Sequence, residues 1–374
     1  MTSGFWKARR VFLTGHTGFK GSWLALWLKH VGAQVFGYSL PPPTTPSIFE
    51  SAGLANVLDG TMVGDIRDLG QLTRAMADVK PDVVVHLAAQ AIVFSSFEDP
   101  VGTFGSNVMG TVNVLESARH VDTIRTMLIV TSDKCYENSE VGPPRSESDA
   151  MGGDDPYSAS KGCAELVTHA YRSSFFGAGE QHPVTVMSAR AGNVIGGGDF
   201  ARYRLIPDLV RGAREGRPVM IRNPAATRPW QHVLEPLSGY LTLIERAWEH
   251  AGGVAEGWNF GPAADDVREV GWVADRFADC WGIARNEAWR KDSRSFPTEK
   301  LTLQLDSTKV AARLGWQPRW TIEQTLNRVV DWYKREAEGF NAHNLIIEQI
   351  EDYVNSAPRA AADATQHTSI GPAS

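Results

Sequence analysis

Tyr157 and Lys161, in PYSASKGCAE, stand four residues apart, a spacing that puts both side chains on one face of a helix. An ammonium held near a phenol favours phenolate, so the pair describes a general base for a hydroxyl proton. Taken alone, Y-x-x-x-K is more often an exposed helix face. Its weight comes from VTSDKCYE, a polar tip closing an apolar run earlier in the chain. Ser132 in that tip is placed to hydrogen-bond the substrate oxygen that Tyr157 deprotonates. Asp133 and Lys134 beside it read either as a surface ion pair or as a further acid and base.

A second group of residues points to a phosphate. VFLTGHTGFKGS carries Gly15, Gly18 and Gly21 in a G-x-x-G-x-x-G spacing, after an apolar run and before helical periodicity. That placement suits a dinucleotide fingerprint. Gly15 permits the tight turn, Gly18 lets the backbone approach a pyrophosphate, and Gly21 brings helix and strand together. The helix start then offers free N–H groups and partial positive charge to the anion. The second apolar run ends GYSLPPP, with no Asp or Glu to hold an adenosine ribose, so NAD and NADP stay open.

These groups need a scaffold that brings them together. RRVFLTG, AQVFGYSL, NVLDGTMVG, DVVVHLAA, TMLIVTS and VTVMSAR read as strands, nearly continuous in apolar residues, as in a parallel sheet covered on both faces. Between them, GSWLALWLKHVGA stops at Gly32 and LGQLTRAMADVKP stops before Pro81, both at helical spacing. This alternation predicts an α/β fold, a doubly wound parallel (Rossmann) sheet, with ligands beyond the strands' carboxyl ends. The sheet domain is expected over 1–190 and a smaller, mainly substrate-binding lobe over 191–354, with some chain returning to the sheet. Helical stretches are predicted near 234–251, 267–282 and 321–337. The small, polar residues 355–374 read as a disordered tail.

Bulk composition narrows the function classes. The 374 residues are 43% hydrophobic and 21% charged, with a formal net charge of −6, which supplies no basic excess for nucleic acid. Cys135, Cys163 and Cys280 have no metal-type spacing and read as small core residues, so no metal is expected. No apolar run approaches the ~20 residues of a membrane helix. A cytoplasmic protein is expected. Among the histidines, His86 and His232 need no catalytic role.

With HLAAQ (86–90) and NVMGTVNVLE (107–116), these motifs resemble the extended short-chain dehydrogenase/reductases acting on nucleotide sugars, over about residues 8–335. GHTGFKGSWL, GYSLPPPTTPSIFE, TSDKCYEN and RAGNVIGGGDF are similar, segment by segment, to the CDP-glucose 4,6-dehydratase family. The resemblance implies a CDP-glucose-type substrate and NAD as hydride shuttle, with NADP as the other option. It implies a cofactor site of Gly15, His16, Gly18, Phe19, Lys20, Gly21, Asp65, Ile66, Leu87, Ala88 and Ala89, with Tyr157 and Lys161. Asp65 meets the adenine edge in that superfamily; a helix cap is its other reading.

The same resemblance implies catalysis by Ser132, Asp133, Lys134, Tyr157 and Lys161. Asp133 would protonate the leaving C6 hydroxyl, and Lys134 takes the place filled by Glu in the dTDP-glucose enzymes. Such a lysine base needs a depressed pKa. Asn193 and Arg228 are implied to hold the sugar diphosphate, with Arg190 and Arg204 as further candidates. Family members pair through helices near 100–120 and 156–176, so a homodimer or homotetramer is expected. Rival readings are another nucleotide-hexose 4,6-dehydratase, a 4-epimerase, which needs no elimination at C6, and a dinucleotide-sensing protein without turnover.

Overall fold

The computed structural model describes residues 4–137, 142–177, 183–250, 253–293 and 302–359. Its centre is a seven-stranded sheet, parallel throughout. The strands are β1 (Arg10–Thr14), β2 (Gln34–Ser39), β3 (Gly60–Val63), β4 (Val83–His86), β5 (Thr126–Val130), β6 (Thr185–Ala191) and an edge strand, Gly257–Phe260. From that edge the order is β6, β5, β4, β1, β2, β3. The chain runs outward from β1 to β3, then returns to build β4 onward on the other side. The crevice between the ends of β1 and β4 is therefore the switch point where such sheets bind ligands.

The pleat sorts the apolar runs onto two cores. Val11, Leu13, Val83, Val85, Leu128 and Val130 face one core, and Phe12, Val84, Met127 and Ile129 face the other. Helices Leu69–Val79 and Gly110–Ala118 close the second core. The first helix, Phe19–His30, buries every residue from Gly21 to Leu28, because it lies between the sheet and the Ala342–Asn355 helix in a core that Leu234–Glu249 shares.

Two sequence expectations shift. NVLDGTMVG supplies a strand only at Gly60–Val63: Asp59 instead accepts bonds from the Val35 N–H and the Lys29 ammonium, both at 2.7 Å. The helix expected over 267–282 begins at Val270, because Val267–Glu269 pairs antiparallel with Thr227–Pro229. The C-terminal helix Ala342–Asn355 was not anticipated. Past it, Arg359 pairs with Asp265 and Asp266, so the first residues of the expected tail are packed. Residues 360–374 lie outside the described residues. No helix among the described residues is long and apolar enough to cross a membrane.

Candidate active site

The glycine turn occupies the switch point. Gly15 has φ +78°, and a Cβ there would lie 2.7 Å from the Ala88 nitrogen, so this turn requires glycine twice over. A Cβ on Gly21 would meet the Gly15 carbonyl oxygen at 2.1 Å. Below them Thr14 Oγ1 accepts from the Leu87 and Ala88 N–H groups at 3.2 Å and donates to His86 Nδ1 at 2.7 Å. Gly18 heads the first helix with no side-chain cap, and no protein acceptor meets the first-turn N–H groups of Phe19, Lys20 and Gly21 among the described residues. A bare helix start at the switch point fits a dinucleotide pyrophosphate.

Three cofactor-motif side chains lie elsewhere than a phosphate. His16 is fully buried, with Nε2 2.7 Å from Thr61 Oγ1 and its ring against Gly37, where a Cβ would be 2.3 Å away. Burial pushes its pKa down to about 4. Lys20 points to the Leu234–Glu249 helix, with Nζ 3.4 Å from Tyr240 Oη. Burial, then the charges of Arg204 and Lys161, lower its pKa to about 7. Asp65 is chelated by Arg67, Oδ2 to Nη2 at 2.6 Å, while the cap of the Leu69–Val79 helix is Asp68. Ile66 packs beneath Gly110.

The polar tip follows β5. Ser132 Oγ donates to Asp133 Oδ1 at 3.0 Å and accepts from the Lys134 N–H at 3.2 Å. Asp133 is buried, and its Oδ2 has no hydrogen-bond partner among the described residues. Burial raises its pKa against the opposing pull of Lys134, the Ser132 bond and Arg228. Tyr157 and Lys161 lie in the first turns of the Pro156–Phe175 helix, capped by Asp155. Lys161 Nζ donates to the Val130 carbonyl at 3.5 Å, and burial lowers its pKa to about 8.

The expected depression of the Tyr157 pKa is not found. Burial drives the phenol up to about 12, with the Ser132 hydrogen bond opposing and the Asp133 charge reinforcing the rise. Desolvation is the largest influence, and the Ser132 bond and the Arg204 charge do not offset it.

The arginines separate. Arg228, buried, donates from Nη1 to the Thr227 carbonyl at 2.8 Å, and its charge reaches Asp133. Next to it Pro229 closes over Gly192, whose Cβ would lie 3.1 Å from Asp133 Oδ2. Asn193 holds this turn through its carbonyl, which accepts from the Gln231 N–H. Arg204 pairs with Asp199 at 2.9 Å, and its charge is felt at Tyr157 and Lys20. Arg190 behaves differently: among the described residues its guanidinium bonds Glu165 and Tyr136, which makes it an internal tie. Asn107 escaped sequence reading. It lies in a π-helical turn and bonds both Gln90 backbone groups and Ser160 on the Pro156–Phe175 helix. Two nearby glycines, Gly105 and Gly110, were its faint signal.

A glycine turn at the switch point, with Ser132, Tyr157 and Lys161 beyond β5, defines an extended short-chain dehydrogenase/reductase site. The family model described as GDP-mannose 4,6 dehydratase matches residues 12–329. The chain is 47% identical over 357 residues, 95% of it and 99% of the relative, to a Salmonella typhimurium CDP-glucose 4,6-dehydratase. It is 26% identical over 284 residues, 72% of it and 77% of the relative, to a Xanthomonas campestris dTDP-glucose 4,6-dehydratase. A solved dTDP-glucose 4,6-dehydratase from Streptomyces venezuelae, with NAD bound, superposes with a TM-score of 0.75 at 25% identity, covering 88% of this chain and 98% of that one. The chain belongs to this family of nucleotide-sugar 4,6-dehydratases.

Proposed function

We propose that this protein is a hydro-lyase that converts CDP-glucose to CDP-4-keto-6-deoxyglucose. The observation that carries it is Asp133: a buried carboxyl with one free oxygen and a raised pKa, beside Ser132 and Tyr157. A 4-epimerase moves no proton at C6 and has no task for such an acid.

NAD fits the glycine turn: Gly15, Gly18, Gly21 and the first-turn amides would hold its pyrophosphate, Ala88, its N–H bonded to Thr14, would line the turn, and Tyr157 and Lys161 would stand near its reactive end. When bound, NAD supplies a positively charged ring that takes a hydride from C4 and returns it to C6. Tyr157 takes the C4 hydroxyl proton while Ser132 hydrogen-bonds that oxygen; the Lys161 ammonium stabilises the phenolate. A C4 ketone makes the C5–H acidic. Lys134, as its neutral amine, receives that proton, and Asp133, whose carboxyl burial pushes towards the protonated form, gives a proton to the departing C6 oxygen.

The second lobe, 191–354, supplies Asn193, Arg204 and Arg228 to the sugar diphosphate. Assembly as a homodimer has its own support. Val101, Phe97, Met109 and Leu166 are 82%, 56%, 52% and 59% exposed on adjoining helices, more apolar surface than a monomer needs.

The test is turnover of a panel of nucleotide-glucoses with NAD, followed by mass. CDP-glucose should lose one water, C4 deuterium should appear at C6, and D₂O should label C5. An isomer of unchanged mass would replace this reading with the epimerase, and a preference for another nucleotide would overturn the base assignment alone.

A further inference from the structure

Glu165 lies one helical turn beyond Lys161 and is fully committed. Its Oε1 accepts from Thr131 Oγ1 at 2.5 Å and Arg190 Nε at 2.9 Å; its Oε2 accepts from Ser188 Oγ at 2.6 Å and Arg190 Nη2 at 2.8 Å. Arg190 Nη1 donates to Tyr136 Oη at 2.6 Å, and that hydroxyl donates to Asn259 Oδ1 at 2.7 Å. Asn259, on the edge strand, donates onward to the Arg145 carbonyl at 2.8 Å. Both members of the ion pair are 5% exposed.

Thr131 and Tyr136 bracket Ser132–Cys135. The network thus grips both ends of the tip that carries Ser132, Asp133 and Lys134, and its third hold is the helix of Tyr157 and Lys161. A buried ion pair is poor evidence for stability, since well-packed apolar residues serve as well; what a satisfied network adds is a defined arrangement. Helix and strand tip touch different carbons of one sugar, so their relative placement limits how well both steps proceed.

We propose that the Glu165–Arg190 pair is a positioning device, which fixes the Asp133–Lys134 tip against the Tyr157–Lys161 helix so that elimination at C5 and C6 follows oxidation at C4. The assignment of steps rests on the dehydratase reading above. Neither residue touches a reacting atom; they act through Thr131 and Tyr136. Burial opposes the Glu165 charge, but Arg190 outweighs it and holds the carboxyl below its usual range.

Thr131→Val removes one hydroxyl without changing shape; Thr131→Ser keeps it. In the full chain with NAD, Thr131→Val should speed amide exchange at 132–136 about tenfold, the equivalent of one lost charge-assisted bond, while 156–175 stays protected. Turnover of CDP-glucose should fall by about the same factor, with KM held. The C4-deuterium isotope effect on kcat should shrink towards one, because elimination becomes slowest. Thr131→Ser should restore all three, and Tyr136→Phe should reproduce the loss from the other end. Exchange that rises throughout the sheet, or an isotope effect unmoved in both variants, would reduce the pair to a stabilising tie. Should the wild type fail to dehydrate any nucleotide sugar, the assignment of function falls, and the exchange pattern still decides whether the pair positions the tip.

Discussion

The glycine turn after β1 and the polar tip after β5 end strands of one sheet, yet they are built in opposite ways. The turn is largely a matter of backbone sterics among near neighbours in sequence, packed against Ala88 and the end of β2. The tip is held by side chains far along the chain: Glu165, Ser188 and Arg190 from the network, and Pro229 closing over Gly192. A site shaped by backbone sterics fails when an atom is added. A site shaped by distributed bonds fails when one is removed.

The largest expected effect is on the tip side. Tyr157→Phe removes the proton acceptor and should cut kcat by ~10²-fold or more, with NAD affinity and melting temperature unchanged. Near-normal turnover would show that the phenol is not the base. On the turn side, Gly15→Ala adds a methyl carbon 2.7 Å from the Ala88 nitrogen at φ +78°. Strain of this kind costs roughly 1–3 kcal/mol, and titration should find NAD binding lost while CDP-glucose still binds. An alanine variant with native NAD affinity would break the contrast drawn above.

Arg228→Ala sharpens it, because that residue lies near Asp133 at the tip and is no part of the glycine turn. KM for the nucleotide sugar should rise about ten- to a hundredfold, the scale of a charge-assisted bond, and NAD affinity should hold. A fall in NAD affinity would put the arginine on the wrong ligand.

The smallest effect is a pH dependence. His86 bonds Thr14 and Thr111, and burial first, then the Lys161 charge, lowers its pKa to about 3. Its folded pKa is depressed, so the unfolded chain takes up a proton that the fold refuses. The stability it contributes is present above its unfolded pKa of about 6.5 and is lost as pH falls towards 3. Unfolding titrations should lose roughly 2 kcal/mol from this group between pH 6.5 and 5, and His86→Gln should flatten that slope. An unaltered slope would mean that the imidazole is reached by solvent.

Much of this followed from the chain read in order. The doubly wound sheet was legible because its strands are short apolar runs and its glycines punctuate them. Gly15, Gly18 and Gly21 were legible for the same reason, since a steric demand leaves a residue type at a fixed spacing. Tyr157 and Lys161 share a helix face that four-residue spacing alone dictates. Only the tertiary structure decided the rest. His16 reads as part of a phosphate turn, but the space beneath Gly37 takes its ring inward. Arg190 and Arg204 are alike as letters; one is tied to Glu165 on the helix of Tyr157, and the other is tied to Asp199, from where its charge is felt at Tyr157. Local sterics are written in consecutive residues. The charge and burial around a side chain are set by residues the sequence keeps far apart.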